Sequence, residues 1–260
     1  MKVIVSVIIP LAPGEVLFPI LRKQLLLLPK DWEVLLCSQH KPKLEQAGGE
    51  RFRWINTDTG RAGCLNEGAR QARGIYLWFL HADSIMGKGS ITGLTDMIAS
   101  EEKNRSRHSL YYFDLKLISS VRRFTRPKEL GVLFRSSCLH TPFGDQGFFM
   151  NKELFYHYGP YSEEASYGED HLLVRKFRRE KITIKPIGRY LYTSARKYDE
   201  NGWTKTTLSH LYLWLKQVYE DRVEHGRIKK HENSCCRILQ NTGTFSGKNT
   251  SESPYRESLC

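Results

Sequence analysis

The sequence predicts an α/β fold in which a twisted, mixed but mostly parallel sheet is flanked by helices. Three short apolar segments, at residues 3–9, 32–37 and 75–80, have the composition of strands that are buried on both faces. Segments with helical periodicity lie between them, so strands and helices alternate through the first part of the chain. Such alternation is typical of parallel strands with helices on both faces of the sheet.

The elements of this first part follow from local patterns. Pro10 ends the first strand, and leucines then recur at three- and four-residue steps from Leu17 to Leu28, which indicates a helix. In chain order the patterns predict strands at residues 3–9, 32–37, 51–56 and 75–80, and helices at residues 14–28, 63–73 and 91–98.

The second part of the chain has a looser pattern. It predicts strands at 110–118 and 182–187, a helix at 166–180, and an amphipathic helix at 204–222. From residue 231 onward the sequence is polar and has no periodicity. We therefore expect a single domain at 1–230 and a disordered tail at 231–260.

The charge balance favours anionic partners. Lys and Arg number 40 and Asp and Glu number 28, which gives a formal net charge of +12. Nucleotide phosphates and acidic lipid headgroups suit such a surface, and a basic surface without a dedicated partner suits it equally. No nucleic-acid-binding motif is present, so nucleic acid is not expected as a partner.

The six cysteines show no CxxC pair and no zinc spacing, so we expect reduced thiols and a cytoplasmic protein. We find neither a signal peptide nor an apolar stretch of about 18 residues, so the chain is expected to be soluble. Trp203 and Trp214 lie in the amphipathic helix at 204–222 or at its edge, which leaves peripheral contact with the inner face of a membrane open.

Ligands of parallel sheets bind beyond the carboxyl ends of the strands, here after Ile9, Asn56 and Leu80. His81 and Asp83 follow the last of these strands. A carboxylate there suits Mg²⁺ or Mn²⁺ together with substrate phosphates, and the histidine could supply or tune a ligand. The alternative is that Asp83 caps the next helix and His81 packs in the core.

Two further segments carry charged groups at predicted helix starts. Gly60 and Arg61 could bring a backbone close to a diphosphate and place a guanidinium on it, or they could form only a tight loop. Glu169 and Asp170 follow Gly168, and either could act as the general base of a transfer reaction. Acidic residues are also favoured at a helix N-terminus for electrostatic reasons alone.

Two loop segments complete the candidates. Asp145 and Gln146, between two glycines, could bind the hydroxyls of an acceptor or could simply form a turn. Arg196, in the basic segment 193–197, could face a phosphate or could lie in a solvated loop.

The order of these segments is more specific than any one of them. SVIIP, GRAxxxNxGA, an apolar strand leading into HAD, then GDQG, GED and TSAR follow one another over residues 4–225. This series resembles glycosyltransferase family 2, and most of all the small bacterial branch of arsenosugar-type or selenium-domain-associated transferases.

The resemblance implies a GT-A-like, Rossmann-like fold and a hexosyltransferase-like enzyme that uses a nucleotide-sugar donor. It implies inversion at the sugar, a divalent cation, Mn²⁺ or Mg²⁺, and an acceptor hydroxyl that the sequence does not identify. Residue by residue, it implies a cation at Asp83 with His81 beside it, Asp170 as the base with Glu169 adjacent, and donor contacts from Gly60, Arg61, Glu15 and Arg196.

The sequence departs from the family pattern at two donor loops. The loop at 11–15 keeps only Glu15 of the usual residues, and residues 38–41 contain no carboxylate. Two alternatives therefore stay open, a nucleotide-sugar-binding protein without catalytic activity and a basic surface- or membrane-binding protein. A sugar nucleotidyltransferase is disfavoured because the first loop contains one glycine and no basic residue.

Overall fold

The computed structural model describes residues 2–40, 51–104, 107–119, 125–138, 140–165, 167–209, 212–221 and 223. The chain divides into two compact units, Met1–Leu213 and Trp214–Cys260. The described residues of the second unit are helical, as are 203–209 and 212–213 in the first. The predicted polar tail lies outside the described residues. None of the helices in the described part of the chain combines the length and hydropathy that a membrane crossing requires.

Eight strands of the described residues form one sheet in the order β3-β2-β1-β4-β7-β6-β8-β5. They are β1 (Val5–Pro10), β2 (Trp32–Ser38), β3 (Phe52–Asn56), β4 (Tyr76–Phe79), β5 (Ser84–Met86), β6 (Ser109–Ile118), β7 (Phe149–Asn151) and β8 (Thr183–Ser194). The pairs β3–β2, β2–β1, β1–β4 and β6–β8 are parallel, whereas β7 is antiparallel to both its neighbours and β5 is antiparallel to β8. All strands except β5 and β7 therefore run in one direction, which confirms the mixed, mostly parallel sheet.

Helices cover both faces of this sheet. They are α1 (Phe18–Leu25), α2 (Arg61–Gln71), α3 (Ser90–Asn104), α4 (Thr125–Cys138), α5 (Lys152–Tyr158), α6 (Glu169–Arg179) and α7 (Arg196–Asn201). Alternate residues of the central strands point to opposite faces, so two cores form. Ile8 and Leu77 pack with apolar residues of α2, α5 and α6. Val7 and Trp78 pack with those of α1 and α3 on the other face.

Most predicted elements are confirmed, with shifted ends. The first helix begins at Phe18 rather than at residue 14, and α2 begins at Arg61, two residues before its predicted start. The strand predicted at 182–187 continues to Ser194, because pairing with β6 resumes at Tyr190 after an irregularity at 187–189, where Gly188 has a φ of 70°. The elements β5, β7, α4, α5 and α7 were not predicted.

The sheet direction places the carboxyl ends of β1, β3, β4, β6 and β8 at one edge. The loop after β3 leads into α2, and the loop after β4 contains His81 and Asp83. A 3₁₀ turn at Gly144–Gln146 precedes the antiparallel β7 and therefore lies at the same edge. This edge, and not the opposite one, collects the polar side chains that the sequence singled out.

Candidate functional site

Arg61 is the side chain that joins three segments at this edge. It is the first residue of α2, directly after Gly60, so the helix start projects it beyond the sheet. Its Nε lies 3.1 Å from Oε1 of Glu169 in α6, and its Nη2 contacts Nε2 of His81 after β4. The guanidinium thereby links the loops after β3 and β4 to the start of α6.

Glu169 and Asp170 are neighbours in the first turn of α6 but have different surroundings. Glu169 is 7% exposed. Burial raises the pKa of its carboxyl, Arg61 opposes that shift, and the nearby Asp170 adds to it. Asp170 is only partly buried. Its Oδ1 accepts from the His171 N–H at 2.9 Å and its Oδ2 accepts from the Gly144 N–H.

The 3₁₀ turn at Gly144–Gln146 is built to approach Asp170 closely. A methyl group at Gly144 would lie 2.9 Å from Oδ2 of Asp170 and 3.1 Å from Nη2 of Arg61, which only a glycine avoids. Gly147 ends the turn at a φ of 64°, in the left-handed region that favours glycine. Glycines at both ends of GDQG thus have structural reasons.

Gln146 holds this turn from inside the protein. Its side chain is buried, its Nε2 donates to the Phe113 carbonyl at 3.0 Å, and its Oε1 accepts from Ser136 Oγ at 2.9 Å and from the Phe143 N–H at 3.1 Å. The amide is therefore engaged within the protein. Of the two residues expected to meet an acceptor, Asp145, which is only partly buried, is the more accessible.

Sequence reasoning missed Arg135 of α4. Its guanidinium lies 3.4 Å from the centre of the Phe143 ring, and its Nε donates to the Thr141 carbonyl at 3.0 Å. Burial lowers the pKa of this guanidinium, while the charges of Asp145 and Asp170 oppose the shift. A second cation therefore balances the acidic groups at the site. No periodicity or motif around residue 135 marks it.

His81 and Asp83 lie side by side, with Nδ1 of His81 3.9 Å from Oδ1 of Asp83. An arginine N–H can only donate, so Nε2 of His81 accepts from Arg61 and the proton of a neutral ring is on Nδ1. Thr193 of β8 donates to Oδ2 of Asp83 at 3.2 Å. In this arrangement the metal-binding lone pair of His81 faces Arg61, and Asp83 offers the carboxylate.

The described residues contain no group of three or more His, Cys, Asp or Glu side chains arranged to hold a metal ion. One carboxylate at the carboxyl edge of the sheet nevertheless fits a Mg²⁺-like ion, which usually takes its other ligands from water and substrate phosphates.

Two predicted donor contacts stand apart from this group. Arg196 is the first residue of α7, and its Nε is 3.9 Å from Oε1 of Glu200 in the same helix. Glu15 lies partly buried in the loop after β1. Both are in segments that follow strands of the same edge. Within the described residues, no hydrogen bond or ion pair joins either side chain to Arg61, Asp83 or Asp170.

The architecture is that of the GT-A-like fold, and solved structures of glycosyltransferases share it. One is S. aureus TarS 1–349, at 18% sequence identity over 75% of this chain and 61% of that chain, with a TM-score of 0.57. The same protein in complex with UDP-GlcNAc gives 18% identity over 74% of this chain and 58% of that chain, with a TM-score of 0.57. The mannosyltransferase PcManGT from Pyrobaculum calidifontis, in complex with GDP-Man and Mn²⁺, has 14% sequence identity over 74% of this chain and 57% of that chain, with a TM-score of 0.54.

This chain thus spans less than two thirds of the length of each of these structures. No family model and no curated protein matches its sequence. The similarity therefore establishes the fold.

Proposed function

We propose that the protein is a family 2 glycosyltransferase that transfers a sugar from a nucleoside-diphosphate donor to an acceptor hydroxyl, with inversion at the sugar. One observation carries the proposal. A guanidinium, that of Arg61, is held between Glu169 and His81 at the carboxyl edge of the sheet, with the Asp170 carboxylate beside it. Structures of the same fold contain UDP-GlcNAc and GDP-Man, which supports a donor of this class.

The donor diphosphate would bind at the start of α2. The side chain of Arg61 is 43% exposed, so part of the guanidinium is open to a ligand while Glu169 fixes its orientation. Gly60 caps the helix without a side chain, so the free N–H groups of the first turn and the positive end of the helix dipole can approach a phosphate. Glu15 and Arg196, after β1 and β8, are proposed as further donor contacts.

Asp170 would act as the general base. In the proposed step, the acceptor hydroxyl gives its proton to the Asp170 carboxylate while its oxygen forms a bond to the anomeric carbon. The bond from that carbon to the diphosphate oxygen breaks, and its electron pair leaves with the nucleoside diphosphate. Arg61 stabilises the charge that develops there. The Gly144 N–H fixes one oxygen of Asp170, and Asp145 lies on the same turn for contact with the acceptor.

Asp83 would hold a divalent cation, Mn²⁺ or Mg²⁺, when the donor is bound. Such a cation would neutralise diphosphate charge as a Lewis acid. Thr193 orients the Asp83 carboxylate, and His81 contacts the Arg61 guanidinium. The mannosyltransferase of the same fold contains Mn²⁺.

The test compares donor binding with turnover. Thermal unfolding is followed with nucleoside diphosphates and nucleotide sugars, and release of nucleoside diphosphate is measured with an acceptor panel. We expect one nucleotide class to raise the Tm. Asp170→Asn should lower turnover by about 100-fold or more and leave that rise unchanged. Asp96→Asn, an exposed aspartate of α3, is the matched control.

Each departure from this pattern identifies a different error. Turnover that persists in Asp170→Asn would show that the base is another group. A nucleotide-dependent rise in Tm without transfer to any acceptor would favour the binding protein that lacks catalytic activity. No rise with any nucleotide would remove the donor site from the proposal.

A further inference from the structure

A cleft of about 280 Å³ lies beside the proposed site, between α4 and the carboxyl halves of β6 and β8. One wall consists of α4 side chains, among them Leu130, Val132 and Leu133. Leu130 is 65% exposed and Leu133 is 47% exposed, so apolar side chains open the cleft to solvent. Isolated exposed leucines are ordinary, but leucines that line a concave site are typical of a ligand pocket.

The polar groups of the cleft have a definite pattern. Asp114 lies at its floor, and no described residue donates a hydrogen bond to its carboxyl group; burial raises the pKa of that group. Glu129 adds a second carboxylate, which accepts from the Leu117 N–H at 2.8 Å. Among the described residues, the one cation that lines the cleft is Lys116, whose Nζ lies 4.0 Å from the centre of the Tyr190 ring. Two carboxyl groups thus face a ligand, against one cation that already lies on an aromatic ring.

The cleft adjoins the proposed catalytic group through Gln146. This side chain lines the cleft and also holds the turn whose Gly144 N–H contacts Asp170. Gln146 Nε2 donates to the carbonyl of Phe113, the residue before Asp114. A molecule in the cleft is therefore separated from Asp170 by one short turn.

The volume limits what the cleft can take. Pockets that enclose a whole drug-sized ligand have volumes of about 300–1,000 Å³. This cleft is slightly smaller, so it suits one part of a ligand whose remainder lies outside. The carboxyl groups of Asp114 and Glu129 line it, which makes it unsuited to the donor diphosphate.

We infer that the cleft binds the apolar part of the acceptor, and that the acceptor is a neutral molecule with an aliphatic or aromatic body and hydroxyl groups. The inference rests on the proposed function. The aliphatic wall takes the apolar body, and Asp114 accepts a hydrogen bond from a hydroxyl. An anionic group would meet the carboxyl groups of Asp114 and Glu129, so a phosphorylated or carboxylated acceptor is disfavoured.

Ligand binding can be measured without knowledge of the donor. The neutral probes are n-octyl β-D-glucopyranoside and 1-O-octylglycerol, used below their critical micelle concentrations. Octyl phosphate is the anionic analogue. Binding of each probe to the full chain is followed by saturation-transfer NMR and titration. The cleft variant is Leu133→Asp. The matched control is Leu27→Asp, which changes a leucine that is 77% exposed and does not line the cleft.

We expect both neutral probes to bind the unaltered protein and Leu27→Asp equally, and octyl phosphate to bind more weakly. Leu133→Asp should weaken the neutral probes by about tenfold or more, since an apolar contact becomes a charge. The inference is overturned if no octyl probe binds, if Leu133→Asp binds them as tightly as the control, or if octyl phosphate binds as tightly as the neutral probes.

A second readout separates this inference from the proposed function. If octyl probes bind in the cleft but the protein neither binds a nucleotide nor transfers a sugar, the glycosyltransferase proposal is wrong and the cleft inference stands. If Leu133→Asp transfers sugar as well as Leu27→Asp does, and octyl-linked and unmodified sugars are equally good acceptors, the cleft inference is wrong and the glycosyltransferase proposal stands.

Discussion

Replacement of Arg61 by methionine should destabilise the protein in a way that depends on pH. Methionine keeps much of the volume of the side chain and removes the charge. Glu169, whose side chain is only 10% exposed, then loses the cation 3.1 Å away. A buried carboxylate that loses its cation is unfavourable, because burial disfavours the ionised form and the remaining backbone hydrogen bond offsets this only in part.

The size of the effect follows from the exposure of the two partners. Removing one partner of a fully buried pair costs about 3–5 kcal/mol, whereas exposed pairs contribute about 0–1 kcal/mol. The Arg61 side chain is 43% exposed, so water can replace part of its interaction with Glu169. We therefore expect Arg61→Met to lower the free energy of unfolding by about 1–3 kcal/mol at neutral pH.

The sign of the pH dependence is set by the Glu169 carboxyl. Burial already raises its pKa in the folded protein, Arg61 opposes the rise, and loss of Arg61 raises the pKa further. The folded variant then binds the proton more tightly than the unfolded chain does. Its stability is retained at low pH and is lost as pH rises above the ordinary glutamate pKa of about 4.3.

Urea unfolding at pH 4.5 and pH 7.5 measures this difference for the unaltered protein, Arg61→Met, Glu169→Gln and the double variant. The deficit of Arg61→Met should be larger at pH 7.5, and Glu169→Gln in the Arg61→Met background should recover most of it, with unchanged m-values. An equal deficit at both pH values, with no recovery in the double variant, would refute the role given to this pair.

Two further predictions concern the cation and the turn. Asp83→Asn should remove the Mn²⁺-dependent part of any rise in Tm with a nucleoside diphosphate, as EDTA should for the unaltered protein; a Mn²⁺ effect that survives would exclude Asp83 as ligand. Gly144→Ala should lower kcat by about tenfold or more and lower the Tm, because its methyl group would lie 2.9 Å from Oδ2 of Asp170 and 3.1 Å from Nη2 of Arg61. Gly131→Ala in α4, where an added methyl meets nothing within 4 Å, should leave kcat unchanged, and equal effects of the two alanines would contradict the close approach at Gly144.

The central strands could be predicted from the sequence because strands that are buried on both faces have an almost entirely apolar composition. Strands β1, β2 and β4 are covered by helices on both faces, so nearly every residue is apolar. The three-residue β5 has no such signal, since it exists only by antiparallel pairing with the late part of β8. Helix α4 contains Gly131 and lacks a regular apolar stripe, so its helical state depends on packing against β6 that the local sequence does not show.

The candidate site could be predicted only where residues follow strands or begin helices. Arg61, Asp83 and Asp170 occupy such positions, and the topology brings their segments to one edge. Arg135 lies on α4, which was not predicted, so its approach to the acidic groups was hidden. The burial of Gln146 was hidden as well, because a glutamine between glycines has the same pattern whether its amide faces solvent or the carbonyl of Phe113.

Two adjacent carboxylates in one helical turn cannot point in the same direction, and this separates the roles of Glu169 and Asp170. Successive residues of a helix are rotated by about 100°, so one side chain turns into the protein and its neighbour toward the edge. Glu169 is buried against Arg61, where its charge orients a cation and is itself stabilised by it. A carboxylate that is buried and paired in this way is poorly accessible to an acceptor hydroxyl. Asp170 is more exposed and is held by the Gly144 N–H at the edge of the sheet. We therefore propose Asp170 as the base and Glu169 as the residue that orients Arg61.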